Sequence, residues 1–446
     1  MEKSKQSSTK RRKQNTPSID RLSALPDDVV CHILSFLSTR ASVQTSVLAR
    51  RWRSLWAHVP NIYFQSEFYQ TEFEFGKNFS DVIYRVMLLY KVRDMNTFCL
   101  SYADDFNEYQ LETCVTTAIF RNVKKIDLSL VNDQVKLPSC IFTCETLVDL
   151  SLNYCSYIPR AGAVCLPALK KLFLGMVRFE SSESLTGLVS GCPVLEELTV
   201  YRMVDSGLFR FCVSSPTLIR LMLDSNLNSI EKSYSEPYRV KIDTPALRYL
   251  QLKDSVSEDL SVGSLDSLIE ADIVFNNGAP VQRDVPYSHS VLEFAAALRN
   301  VRFLKLSTDC MKVPDSVFSA WTMKFTNLTR LELDSDSRFI STFLENADNL
   351  EVLIIRTVFK ELKCWMEPHV VPKCLLSHLS TIRIDQFECI EDEFKMVRYL
   401  LRNAKVLKRM EIYPQRRGIG SNEKLDALKR ISLFQRGSEA CELAFD

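Results

Sequence analysis

From about residue 95 a short apolar phrase recurs along the chain. It consists of an apolar residue, two variable ones, a second apolar residue, one variable residue and a third apolar one. Clear copies are Val123/Ile126/Leu128, Leu147/Leu150/Leu152, Leu169/Leu172/Leu174, Leu195/Leu198/Val200, Leu218/Leu221/Leu223 and Leu247/Leu250/Leu252. Met95/Phe98/Leu100 and Leu268/Ala271/Ile273 are weaker; Val301/Leu304/Leu306, Leu328/Leu331/Leu333 and Leu350/Leu353/Ile355 follow. Their first positions step by 28, 24, 22, 26, 23, 29, 21, 33, 27 and 22 residues. The last two apolar positions of each copy share one face of a short strand, and the residue between them takes the other. The segments between copies carry helical spacing. Leu185, Leu188 and Val189 run into the stop Gly191-Cys192-Pro193, and Phe343, Leu344 and Ala347 precede Leu350 in the same way. Parallel strands need such crossovers.

A period in the twenties with this phrase is that of a leucine-rich repeat. The expected architecture is α/β: a small all-α unit at the N-terminus, then an irregular solenoid of parallel strands and short helices. Three apolar side chains per repeat, at roughly 1.5–3 kcal/mol each when fully buried, make a large cooperative core. The N-terminal unit is read from Leu25–Trp56. Leu25-Pro26-Asp27-Asp28 suits a helix start, with Pro in the first turn and carboxylates at the positive end. Val29, Val30, Ile33, Leu34 and Leu37 form one apolar face, Ser38-Thr39-Arg40 interrupts it, and Leu48, Trp52, Leu55 and Trp56 predict a second helix ending at Pro60. So small a unit buries too little surface to stand alone and is expected to lean on a neighbour. An aromatic-rich connector follows, with Phe64, Phe68, Phe73 and Phe75 as a strand or loop on the first repeat. Phe79, Val82, Ile83, Val86 and Leu89-Tyr90 then mark an amphipathic helix.

The N-terminal blocks Leu25-Pro26-Asp27-Asp28, Ile33-Leu34-Ser35-Phe36-Leu37, Thr45-Ser46-Val47-Leu48 and Arg51-Trp52-Arg53-Ser54-Leu55-Trp56 resemble an F-box. That family docks on a Skp-type adaptor and so joins a substrate-binding domain to a cullin ubiquitin ligase. The resemblance implies Leu25, Pro26, Ile33, Leu34, Leu37, Val47, Leu48 and Trp52 as adaptor-binding residues, some of which hold the unit together instead. Arg40-Ala41-Ser42 departs from the acidic turn that many members carry. The phrases Gly191–Leu198 and Thr244–Leu250 resemble plant F-box leucine-rich proteins specifically. The run from Trp365-Met366-Glu367-Pro368 through Val371–Leu375, Leu379–Ile384 and Tyr399–Leu401 to Leu407 and Met410 resembles the FBD domain that closes many of them. Glu388 stands where that family often has Gly. Leu379/Ile382/Ile384 and Leu407/Met410/Ile412 continue the strand phrase, Glu393–Leu401 between them suits a helix, and Cys441–Phe445 a last strand, so this domain is expected to extend and cap the solenoid. The expected division is a disordered basic tail at 1–18, the F-box at 19–60, the connector at 61–94, repeats at 95–360 and FBD at 361–446.

Composition narrows the function. The chain has 446 residues, 46% apolar and 25% charged, with a net charge of +1 that argues against a chain-wide nucleic-acid or membrane-surface role. No apolar run reaches the roughly 18–20 residues of a membrane span, and no apolar core of a signal peptide is seen. An intracellular protein, nuclear or cytoplasmic, is expected, with its 14 cysteines reduced. Lys10-Arg11-Arg12-Lys13 is a candidate import signal. His369, Cys374 and His378 lack zinc spacing, Gly418-Ile419-Gly420 lacks the rest of a phosphate loop, and Glu391-Asp392-Glu393 reads as a solvated helix start. Arg50-Arg51 and Arg53 read as a solvated or adaptor-facing edge, and Lys171, Arg220 and Arg248 are too dispersed for a basic pocket. The long polar stretches Asp224–Pro237 and Asn276–Ser290 are the loops where recognition or idle insertion would sit. The expectation is therefore a non-catalytic, cofactor-free substrate receptor of an SCF-type ligase, acting by proximity on an unnamed protein substrate. The rival is an interaction scaffold outside ubiquitination.

Overall fold

The computed structural model describes residues 22, 24–65, 79–102, 108–130, 136–155, 157–160, 162, 164–202, 210–225, 238–254, 257–275, 294, 296–307, 323–334, 337–356, 365–368, 370–415 and 420–445. The basic tail, Phe68, Phe73, Phe75, the stretch 226–237, the loop 276–290 and His369 lie outside them. Every copy of the strand phrase, from Met95 to Ile412, becomes a strand of one fifteen-stranded parallel sheet. Two further strands close its ends. Asn61–Gln65 (β1) pairs with Thr97–Tyr102 (β2) at the start, and Glu442–Phe445 pairs with Arg409–Pro414 at the finish. The sheet thus begins inside the connector, one strand ahead of the first copy read from sequence. Ile62 and Phe64 fill the core positions of β1, and both are buried.

The periodicity translates directly into burial. Leu147, Leu150 and Leu152 are wholly inaccessible, as are Leu247, Leu250 and Leu252, and the remaining copies follow with few partial exceptions. One continuous apolar core runs from Ile62 to Cys441. The FBD-like segment is part of it: its strands Thr381–Phe387 and Arg409–Pro414 pair onward from Val352–Arg356, with one register shift between Asp385 and Phe387.

The crossovers are more varied than the spacing predicts. The helices Ser184–Ser190 and Ser337–Asn346 stand where expected. Gly191 caps the first, and no larger residue fits there, since a Cβ would come within 2.6 Å of the Val164 carbonyl oxygen. Glu108–Phe120 is a helix that the strand-centred reading passed over, burying Leu111, Cys114, Val115 and Ala118 at i, i+3, i+4 and i+7. In three successive repeats the return is extended instead. Arg210–Ser214, Tyr238–Asp243 and Ser257–Val262 form a second, three-stranded parallel sheet. Phe211/Val213 and Val240/Ile242 bury alternate positions there, the period of a strand and not of a helix. The twelve described cysteines are unpaired and seven of them are buried, while Cys165 is exposed; burial pushes the thiols of Cys99, Cys114 and Cys192 up to about 12.

One expectation is corrected in the C-terminal domain. Glu391-Asp392-Glu393 does open a helix, Glu391–Asn403, but Glu393 is completely buried rather than solvated. Its Oε2 accepts the backbone N–H of Glu388 at 2.9 Å and of Ile390 at 3.3 Å. That carboxylate replaces the hydrogen bonds the turn would otherwise lack. The turn's left-handed residues are Gln386 (φ 60°) and Cys389 (φ 62°), not Glu388, so a glycine is not needed at 388. Only Glu391 and Asp392 face solvent, Glu391 against Arg430 at 2.6 Å and Asp392 against Lys395 at 2.8 Å. Replacing Glu393 with Ala is expected to lower stability by about 2–3 kcal/mol, measured as a fall in the thermal midpoint, whereas Glu391→Ala changes it little.

Candidate functional site: the N-terminal helical unit and its seam

Residues 25–59 form a small core of their own. Helices Asp27–Leu34 (α1) and Thr39–Gln44 (α2) are followed by three short 3-10 turns, Thr45–Val47, Arg50–Arg53 and Leu55–His58. Ser38 does not merely interrupt the helical pattern; its hydroxyl accepts the Ala41 N–H at 3.2 Å and caps α2. The second apolar face, Leu48, Trp52, Leu55 and Trp56, is split over short turns and not carried on one continuous helix. Ala49 is extended (φ −156°, ψ 159°) and breaks it. The short turns let Trp52, Leu55 and Val59 all meet Val30 and Leu34, where a continuous helix would have carried Leu48 inward as well.

That packing separates the eight residues singled out above. Leu34 (1% exposed) and Trp52 (6%) are core, and Leu25 is half-buried against them. Ile33, Leu37, Val47 (85%) and Leu48 (68%) are exposed, and Pro26 is exposed as well. Val29 and Phe36 (77%) are exposed apolar residues that belong with this set. Val29, Ile33 and Phe36-Leu37 form a stripe at helical spacing along the outer side of α1. The ring of His32 stands edge-on to Phe36 with centroids 5.0 Å apart. Arg51 is neither idle nor free for a ligand. Its Nε donates to Asp27 Oδ1 at 2.8 Å and its Nη2 to the Leu25 carbonyl at 2.6 Å, tying the turn Arg50–Arg53 to the start of α1. No composition-level signal marks that role, because the partners are 24 and 26 residues away.

The opposite side of the unit is seated on the solenoid. The N–H of Tyr63, on β1, donates to Thr39 Oγ1 at 2.8 Å. Lys91 N–H donates to the Ala57 carbonyl and Asn96 N–H to the Pro60 carbonyl, both at 2.8 Å. The Tyr90 hydroxyl donates to the Val59 carbonyl. Tyr90 follows the helix Phe79–Leu89 (α3), whose buried residues Ile83 and Met87 belong to the solenoid core. A small cavity in the seam is lined by Leu37, Thr39, Ser42, Trp56, Asn61 and Tyr90. The unit therefore covers the exposed edge of β1, which would otherwise offer unpaired amides to another chain.

Other candidate clusters do not assemble. Cys374 is buried and donates its Sγ to the Leu344 carbonyl, while His378 is exposed beside Ser377. Lys171 is paired with Glu197 at 3.0 Å, Arg220 lies over the Tyr249 ring, and Arg248 is exposed outside the strand. Among the described residues no group of His, Cys, Asp and Glu could hold a metal, and no helix is long and apolar enough to cross a membrane.

Comparison with known proteins agrees with this geometry. The F-box domain model matches residues 22–63, the FBD model residues 367–412, and the model for the LRR repeats of FBD-associated F-box protein At5g56370 residues 111–231. The chain is 30% identical over 444 residues to the FBD-associated F-box protein At3g52670 of Arabidopsis thaliana, covering 98% of this chain and 99% of that one. It is 34% identical over 358 residues to the F-box/LRR-repeat protein At4g14103 of the same plant, covering 76% and 92%. The F-box/FBD/LRR-repeat protein At5g56420, also from Arabidopsis thaliana, is 28% identical over 442 residues, covering 96% and 99%.

The seam makes a prediction of its own. Thr39→Val removes the acceptor of the Tyr63 N–H and is expected to cost about 1–2 kcal/mol. Amide hydrogen exchange should then accelerate selectively across Asn61–Gln65; unchanged protection there would mean that the F-box unit does not hold this edge.

Proposed function

We propose, from the premise that this chain belongs to the family of plant F-box/FBD/LRR-repeat proteins, that it is the substrate-recognition subunit of an SCF-type cullin ubiquitin ligase. One observation carries the reading. The F-box unit keeps Val29, Ile33, Phe36, Leu37, Val47 and Leu48 in solvent although its core and its seam are otherwise well packed. Clustered exposed apolar residues on so small a unit are the mark of a protein interface. The reading assigns that face to a Skp-type adaptor, and through the adaptor to a cullin. Of the eight residues proposed from sequence, Ile33, Val47 and Leu48 are contact residues, with Pro26 at their margin and Leu37 between this face and the seam; Leu34 and Trp52 act by holding the unit's shape.

The chain forms no bond itself in this scheme. Proximity does the work: a target held on the repeats sees conjugating enzyme at an effective concentration in the millimolar range, as tethered partners do. The seam adds a geometric element, since a unit fixed by hydrogen bonds at Thr39, Ala57, Val59 and Pro60 presents the target in a set direction. Working inside the cell, in nucleus or cytoplasm, follows from the same reading.

Val47→Glu with Leu48→Glu is expected to weaken capture of a purified Skp-type adaptor by about thirtyfold, as loss of a hot spot does, without lowering the thermal midpoint. Unchanged capture by that variant would move the adaptor to another face. Failure of the native chain to bind any Skp-type adaptor would remove the receptor reading and favour an interaction scaffold.

A further inference from the structure

The solvent face of the large sheet carries a row of side chains whose neighbours are set by strand register. Across the early strands the row alternates in sign. Lys125 lies opposite Asp149, Asp149 opposite Lys171, Lys171 opposite Glu197 and Glu197 opposite Arg220. Lys125 Nζ is 2.9 Å from Asp149 Oδ2, and Lys171 Nζ is 3.0 Å from Glu197 Oε1. These charges satisfy one another and offer little to a partner.

From Arg220 onward the character of the row changes. It continues Tyr249, Glu270, Phe303, Arg330 and Val352 in consecutive register. Among the described residues neither Arg220 nor Arg330 forms an ion pair, and both are exposed. The Arg220 guanidinium lies 4.2 Å from the centre of the Tyr249 ring, and Phe303 is 42% exposed. Glu270 is likewise exposed and, among the described residues, without an ion pair. The neighbouring row is different: there Asp272 takes Gln251 at 3.1 Å and Lys305 at 3.7 Å, and Glu332 takes Arg356 at 3.2 Å. Unpaired charge and exposed aromatic surface therefore coincide in one row over five strands.

We propose that this row, Arg220–Tyr249–Glu270–Phe303–Arg330, seats an acidic peptide segment of the protein target. The inference rests on the receptor reading above and names the chemistry of what is received. Guanidinium groups bind carboxylates bidentately; the half-buried Tyr249 ring backs the Arg220 guanidinium, and the exposed Phe303 ring offers apolar contact between the two arginines. Four strand spacings of about 4.8 Å place the two arginines about 19 Å apart. An extended peptide at about 3.3 Å per residue spans that distance with some six residues. The complementary segment bears carboxylates at both ends, apolar side chains inside them, and a basic residue toward Glu270. Nucleic acid is disfavoured, because Glu270, Asp272 and Glu332 would face its phosphates.

The test is selection of a phage-displayed library of random dodecapeptides on the full-length protein, followed by anisotropy measurements with the enriched peptides. The expected consensus is a pair of acidic residues about six apart around apolar positions. Arg220→Glu and Arg330→Glu should each weaken the peptides about tenfold, and Arg220→Lys and Arg330→Lys less. Lys405→Glu with Lys408→Glu, exposed and away from the row, should leave affinity unchanged. A basic or charge-free consensus, equal binding by the reversed variants, or no enrichment at all would overturn the seat. Adaptor capture is measured on the same proteins. If it holds while the peptides fail, only this inference falls; if the native chain captures no adaptor, the receptor reading falls and takes the inference with it.

Discussion

The whole molecule depends on one backbone hydrogen bond repeated once per turn of the solenoid. Just before each strand an amide donates to the carbonyl at the same place in the preceding repeat. Val148 donates to Lys124, Lys170 to Val148, Glu196 to Lys170, Ile219 to Glu196 and Arg248 to Ile219, at 2.7–2.9 Å. The relay runs on through Ile269, Arg302, Thr329, Glu351, Ser380 and Lys408 to Glu442. It fixes the entry of each strand, and the two following apolar residues then fall into the core. It constrains nothing in the return segment. That is why repeats can step by 21 to 33 residues, and return by helix or by strand, without disturbing the sheet.

A solenoid built this way leaves two raw ends, and the chain closes each with different material. At the start the F-box unit supplies Thr39 to β1 and covers its outer edge. At the finish the FBD strands carry the relay forward to Glu442–Phe445, with the buried carboxylate of Glu393 holding the turn between Thr381–Phe387 and the helix Glu391–Asn403. Neither terminal domain is an appendage. The F-box is two-sided: Thr39, Trp56 and Val59 look toward the repeats, while Val47, Leu48 and the outer stripe of α1 look away. The buried contacts that stabilise this very small unit and the exposed apolar residues of the proposed docking face thus fall largely on different side chains.

The solvent face of the sheet shows a second division of labour. Where Lys125, Asp149, Lys171 and Glu197 alternate, the face is closed upon itself. Where Arg220, Glu270 and Arg330 stand without ion pairs among the described residues, beside Tyr249 and Phe303, lies the seat proposed for a partner. The strand register that packs the leucines also sets the order of these outward residues, so packing and recognition share one framework on opposite faces.

How much of this was legible in advance follows from which interactions are local. The strand phrase, the helix faces at Leu185–Val189 and Phe394–Leu401, and the F-box blocks are patterns of near neighbours, and the sequence alone determined the solenoid and its order of domains. The division of Leu34 and Trp52 from Val47 and Leu48 was not legible. All four are apolar, and Leu48 and Trp52 share a helical spacing that only the break at Ala49 splits into one exposed and one buried side chain. Burial of Glu393 was hidden for the same reason: its three-carboxylate run looks solvated until the turn at 386–390 folds over it. The clamp of Arg51 on Asp27 and Leu25, and the bond from Tyr63 to Thr39, join residues some two dozen apart. Such contacts exist only once the chain has folded, because nothing in the intervening sequence records a distance. The tertiary structure alone decided which apolar residues hold the protein together and which it offers to others.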